Sequence, residues 1–273
     1  MVMGLFDKKY CDVCGERIRF LGNKKLEDGN LCKGCESKLS PWFSDRRRST
    51  VEEIKAQLAY REENKQRAAA FAATVSYGEG NVVLIDENKQ QFVIKRAGES
   101  MSDNPDVLAL SDVTGCDVSV EHSQLEEKTK DDQGKPISYN PPRRTHSYRF
   151  FLTVRVNHPY FDEMRFRVNR GNVEIKTGYP SADAPALSAQ IAGALTGMNL
   201  KAPVSLEPDT ENSADYQKYF ALANAMRRAL LRLPEPAKET PAPAEKAACP
   251  CCGAPALPDA NGRCPYCGES MRG

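Results

Sequence analysis

SYRFFLTVRVNHPYFDEMRFRVNRGNVEIK, residues 147–176, alternates apolar and polar side chains over three short runs divided by turn residues. A period of two sends successive side chains to opposite faces of a strand, so one face of each run is built for burial. SYRFFLTVRV (147–156), EMRFRVN (163–169) and NVEIK (172–176) therefore read as strands, with NHPY in the turn after the first. Upstream, NVVLID (81–86), QFVIKR (91–96) and TGCDVSVEH (114–122) read the same way, and ENKQ joins the first two of these as a hairpin. Between Ser123 and His146 the sequence is charged and contains proline, which suggests a long mobile loop.

Helical signals flank this strand-rich stretch. Downstream, Ser213 or a neighbour caps a helix in which Tyr216, Tyr219, Ala223, Met226, Leu230 and Leu233 recur at steps of three and four. An antiparallel meander followed by one amphipathic helix is what a small open barrel needs to close a mouth, so the expected class is α+β, a barrel capped by its C-terminal helix. The stretch from Pro180 to Pro208 fits that scheme badly; SAQIAGALTG (188–197) reads as a short helix within an insertion. Upstream, Thr50 and Glu53 form a T-x-x-E capping box that starts a helix over about 50–72. Its apolar stripe, Val51, Ile54 and Leu58, is short, so it reads as a connector. The Arg46–Arg48 run before it is neighboured by Asp45, Glu52 and Glu53 and reads as a solvated face.

Both ends of the chain carry paired cysteines. The first set is Cys11-x2-Cys14-x17-Cys32-x2-Cys35 and the second Cys249-x2-Cys252-x11-Cys264-x2-Cys267. Neither a signal-peptide h-region nor an apolar window of about 20 residues is present in the sequence, so the expected location is cytoplasmic. Cytosolic thiols stay reduced, and ten cysteines then point to metal ligation or redox chemistry before structural disulfides. Two CxxC pairs supply a tetrahedron of sulfurs, so two Zn2+ ions are expected, one per set; four-thiolate iron and a redox pair remain alternatives. Gly15, Gly253 and Gly268 follow the second cysteine of three pairs, where a positive φ tightens the turn, whereas CKGC carries its glycine inside, at Gly34. Cys116 reads as a core residue, and Cys251 competes with Cys252 as a ligand by a shift of register.

Each module is too short to hold a self-sufficient core, so metal must supply much of its folding free energy. Trp42 and Phe43, after the short turn ESKLSP, are expected to cover the first. The organisation expected is a zinc module (1–45), a connecting helix (46–76), the barrel with its helix (77–233), a Pro/Ala/Glu/Lys linker (234–248) and a second zinc module (249–273).

YCDVCGERIRFLGNKKLEDGNLCKGCESKLSPWF and the helix start after it resemble a bacterial family of domains of unknown function, a four-cysteine module followed by a short helix and an S-P-W-F segment. The resemblance implies zinc on Cys11, Cys14, Cys32 and Cys35 and brings no activity with it. CPCCG and CPYCG resemble zinc-ribbon knuckles. Strands 81–176 with the helix from 213 resemble a pleckstrin-homology (PH) or GRAM-like barrel, although Lys89 and Arg96 are scattered where a lipid-binding basic loop would stand.

Lys plus Arg at 38 against Asp plus Glu at 37 gives no global field toward nucleic acid or anionic lipid. No GxSxG, P-loop, Rossmann or HExxH pattern occurs, and His122, His146 and His158 read as surface or turn residues. The expectation is a non-enzyme that uses zinc modules to hold a protein partner, with no small-molecule substrate and no lipid. Nucleic-acid binding, helped by Arg46–Arg48, Arg143, Arg144 and Arg149, is the competing reading.

Overall fold

The computed structural model describes residues 8–19, 21–179, 204–233, 247–256 and 263–271. The chain divides into two compact units, Met1–Leu233 and Pro234–Gly273. The short helix expected at 188–197 and the linker up to residue 246 lie outside the described residues.

In the first unit, β1 (Lys24–Lys25) pairs with β2 (Asn30–Leu31), followed by a one-turn helix α1 (Lys33–Glu36) and the long helix α2 (Val51–Ala70). The capping box forms as read: the Glu53 N–H donates to Thr50 Oγ1 (3.3 Å) and the Thr50 N–H to Glu53 Oε2 (2.7 Å). Four strands then make an antiparallel meander, β3 (Val75–Tyr77), β4 (Asn81–Asp86), β5 (Gln91–Arg96) and β6 (Val107–Ala109). The second sheet is built on β10 (Arg144–Val156), with β7 (Val113–Glu126) along one side. Its other side takes β11 (Glu163–Arg167) opposite Phe151–Arg155 and β12 (Val173–Thr177) opposite Arg144–Tyr148.

The two open sheets and helix α3 (Ala214–Leu231) share one core, in which Phe92, Phe150, Leu152, Met164, Ala223 and Met226 are fully buried. Ser213 is the N-cap of α3, its hydroxyl accepting from the Tyr216 N–H at 3.3 Å. The outer face of the first sheet is covered as well: Val93 and Val107 pack with Ala68 of α2. That double burial explains why β5 is continuously apolar at Phe92, Val93 and Ile94 rather than alternating.

The loop expected over 123–146 is instead a ribbon. Strands β7 and β10 stay in register out to Glu126 and Arg144, and beyond them β8 (Lys128–Lys130) pairs with β9 (Pro136–Ser138). Its side chains are mostly exposed and polar, so pairing is held by backbone hydrogen bonds without a buried stripe, and the apolar signal used to find strands is missing. No helix among the described residues is long and apolar enough to cross a membrane.

Helix α2 is more than a connector. Its buried face runs Ile54, Gln57, Arg61, Asn64, Ala68, a helical stripe whose middle is polar. Ile54 sits in the core of the cysteine module with Leu26, Leu31 and Leu39. Arg61 donates to Asp106 Oδ1 at 2.6 Å and also to the Asn104 carbonyl, while Asn64 donates to Asn104 Oδ1 at 2.7 Å and accepts from the Val107 N–H at 3.0 Å. Ser40 of the module donates to the other Asp106 oxygen at 2.8 Å. The helix thus splints the module to the first sheet. Trp42 corrects a second expectation: it packs against the sheet core, and only Phe43 covers the cysteine module.

Candidate metal centres

Three of the four CxxC pairs fold identically. The N–H of the first cysteine donates to the carbonyl five residues on, Cys11 to Glu16, Cys249 to Ala254 and Cys264 to Glu269, at 2.8–3.0 Å. The glycine four residues on donates back to the first cysteine's carbonyl, at 2.7 Å for Gly15 and 2.8 Å for Gly253 and Gly268. These glycines have φ of +76°, +69° and +76°, which side-chain-bearing residues adopt only with strain. The fourth pair is built differently, as its internal glycine implied. Cys32 is the N-cap of α1, and its sulfur accepts from the Cys35 N–H at 3.3 Å.

These turns bring Sγ of Cys11, Cys14, Cys32 and Cys35 together, and likewise Cys249, Cys252, Cys264 and Cys267, with all four sulfurs of each set within 4.8 Å of one another. Cys14 and Cys32 sulfurs lie 3.7 Å apart, Cys249 and Cys267 3.6 Å, and Cys252 and Cys264 3.8 Å. A tetrahedron with Zn–S bonds of 2.3 Å has edges of about 3.8 Å, so the spacing fits zinc in both sets.

The electrostatics fit a cation too. Burial acts to raise the Cys11 thiol, yet the N–H groups of Cys14, Cys32 and Val13 bring it down to about 7. The N–H groups of Cys252 and Cys251 bring Cys249 to about 7. One thiolate in each set is thereby favoured, and the sulfurs beside it resist further ionisation. Burial, followed by neighbouring sulfurs, pushes Cys35 far up; the Glu269 N–H lowers Cys267, but desolvation and its sulfur neighbours carry it to about 12. A divalent cation at the centre removes that repulsion, since metal binding draws the protons off all four thiols.

Residues 9–57 match the family described as Domain of unknown function (DUF4428). The matched segment spans the first sulfur set and continues into α2 as far as Gln57, so it includes Val51 and Ile54, the helix residues that help fill the module's core. No curated protein and no solved structure matches the chain.

Cys251 is exposed and outside the second cluster, so Cys252 is the residue brought to the centre. Cys116 is a core residue as read, 3% exposed, with burial pushing its thiol up to about 12. The arginines raised as nucleic-acid contacts are largely engaged inside the protein. Arg46 pairs with Glu36 at 3.2 Å, Arg48 with Asp45 at 2.6 Å and Arg149 with Glu121 at 3.0 Å, while Arg143 lies over the Tyr139 ring at 4.1 Å.

Of the three histidines, His122 is exposed and His158 lies in the turn after β10, as read, whereas His146 departs from its reading. His146 is buried and shares a 3.0 Å contact with His122, and its other nitrogen meets Thr177 Oγ1 at 3.0 Å. Burial, with His122 and Arg144 nearby, lowers the His146 pKa against an opposing pull from Glu207. His158 is also lowered by burial, and its Nε2 lies 2.9 Å from the Tyr60 hydroxyl. The first pair is 24 positions apart in sequence and meets only through the β7–β10 register, so no local pattern could have disclosed it.

Proposed function

We propose that the protein is a non-enzymatic zinc-binding adaptor that presents metal-stabilised surfaces to other proteins. The observation that carries the reading is the convergence of four sulfurs in each set. Four protein ligands leave zinc no open position for water or substrate, so the ion there shapes polypeptide and performs no catalysis. The reading sets the protein in the reducing cytoplasm, where its thiols remain available to metal. It takes the two sheets with α3 as a PH-like or GRAM-like platform, an architecture-level analogy from which no ligand follows. Nucleic-acid binding is the weaker alternative, because pairing of Arg46, Arg48 and Arg149 with carboxylates leaves those cations less free for phosphates.

The test is chemical cross-linking of the intact chain to bound partners in cell extract, with zinc present and after chelation, alongside nuclease treatment. Nuclease-resistant, zinc-dependent protein capture is expected. Capture that survives chelation unchanged, or that vanishes with nuclease, overturns the reading.

A further inference from the structure

Beside the first sulfur set, β1 and the turn Arg46–Arg48 border a cleft of about 630 Å3 lined by Leu21, Asn23, Lys24, Lys25, Arg46 and Arg47, with Glu27 its one carboxylate. Lys24 and Arg46 are engaged: both pair with Glu36, at 3.0 Å and 3.2 Å, and Arg46 also donates to the Lys25 carbonyl at 2.6 Å. Lys25 and Arg47 are exposed and have no carboxylate partner among the described residues. Leu21 is 90% exposed on a backbone with φ +64°, so a large apolar side chain is held in water by a conformation that costs about 1–2 kcal/mol. Asn23 donates from Nδ2 to Asn30 Oδ1 at 2.9 Å, whereas its own Oδ1 is buried and accepts nothing among the described residues. A buried acceptor without a donor is costly, and a ligand that supplies an N–H relieves it.

We infer that this cleft docks an acidic peptide segment of a partner protein: carboxylates on Lys25 and Arg47, an apolar side chain against Leu21, and a backbone N–H toward Asn23 Oδ1. The inference rests on the adaptor reading and names where that partner is held. A nucleic-acid backbone suits the cleft less well. Phosphates bring acceptors only, and two free cations fall short of the roughly six to ten phosphate contacts on which such binding rests. An anionic bilayer meets protruding patches, whereas these groups line a recess.

The experiment is fluorescence anisotropy of a short synthetic Asp/Glu-rich peptide with one central leucine, titrated with the zinc-loaded full chain. Salt-sensitive, saturable binding is expected, weakened about tenfold or more by Lys25→Glu with Arg47→Glu. Leu21→Gly should weaken it several-fold while relieving the backbone, so a folding defect does not obscure the result. A peptide with Lys in place of each acidic residue should not bind. The assignment is overturned by no binding of the acidic peptide, by unchanged affinity in either variant, or by tighter, variant-sensitive binding of a single-stranded oligonucleotide or of phosphatidylserine vesicles. If the peptide fails while zinc-dependent protein capture persists, the cleft falls and the adaptor reading stands. If capture fails as well, both fall.

Discussion

The two four-sulfur sets share a ligand type, the two-residue spacing within each cysteine pair and, between them, three copies of one glycine turn, yet they are embedded in opposite ways. The first has Ile18, Leu26, Leu31, Leu39 and Ile54 packed around it, and through α2 it reaches the buried Arg61–Asp106 pair of the sheet unit. The second belongs to a unit of its own, in which Cys249, Ala256 and Cys264, with Met271 against them, make the core among the described residues. The same metal chemistry would therefore be a brace in one place and nearly the whole fold in the other. What differs is how much apolar surface is buried without the ion.

Removing a ligand from each set gives the largest effect and the most direct way to break this contrast. Cys252→Ser should unfold the second unit outright, since structural zinc supplies about 10–16 kcal/mol of apparent binding energy and little else replaces it. The melting of residues 1–233 should not change. Cys14→Ser should act differently: the first module loses its brace, α2 loses its seat, and the sheet unit melts earlier. Hydrogen exchange on both variants checks this. Were Cys14→Ser to expose only residues before α2 and leave the sheets at wild-type protection, the splint would be refuted.

Cutting the splint while leaving both metals in place is the next step down. Asp106 has no exposed side-chain surface and holds Arg61 and Ser40 together. Asp106→Ala strands a buried guanidinium and should cost about 3–5 kcal/mol, read as a lowered denaturation midpoint with zinc content unchanged. Replacing both partners by apolar residues of similar size should recover part of that loss. An Asp106→Ala protein as stable as the wild type would mean that the module and the sheets are held without the ion pair, by Trp42, apolar contact and the Arg61 and Asn64 hydrogen bonds to Asn104 and Val107.

This seam also marks where the sequence stopped being readable. The capping box at Thr50, strands β4, β5 and β10, and both sulfur sets were legible because each depends on residues close together in the chain. Arg61 and Asn64 lie outside the apolar stripe read from the sequence, because a polar side chain discloses burial only through its partners, and Asn104 and Asp106 lie some 40 positions away. The three-residue strands β3 and β6 escaped notice for want of length, and the β8–β9 ribbon for want of a buried face. Local chemistry was visible; long-range polar pairing was not.

A smaller effect separates the units by pH. His146 lies in the first unit with its pKa below the ordinary 6.5, from burial first and then from His122 and Arg144. The unfolded chain takes up that proton near 6.5, the folded one only at lower pH. Below 6.5 the unfolded state therefore binds more protons, and stability falls as pH falls. His158 acts in the same direction. With zinc in excess, the first unit should lose stability on acidification, and the His146 imidazole resonance should titrate below 6.5. A midpoint at or above 6.5 would remove buried His146 as the cause.

The smallest expected change in free energy is the sharpest comparison of the two embeddings. Gly15 and Gly253 occupy equivalent turns with positive φ, and a methyl group at either meets open space, so Gly→Ala carries backbone strain alone, about 1–2 kcal/mol in each. The local cost is the same, but the consequence should not be. In the first module, strain is set against an apolar core and the α2 splint, and metal affinity should fall only slightly. In the second it is set against little but the ion itself, so nearly all of it should appear as weaker zinc binding, about tenfold when measured by competition with a chelator. Equal losses of affinity in Gly15→Ala and Gly253→Ala would show that the surrounding core gives the first site no protection, and the contrast between brace and fold would have to be abandoned.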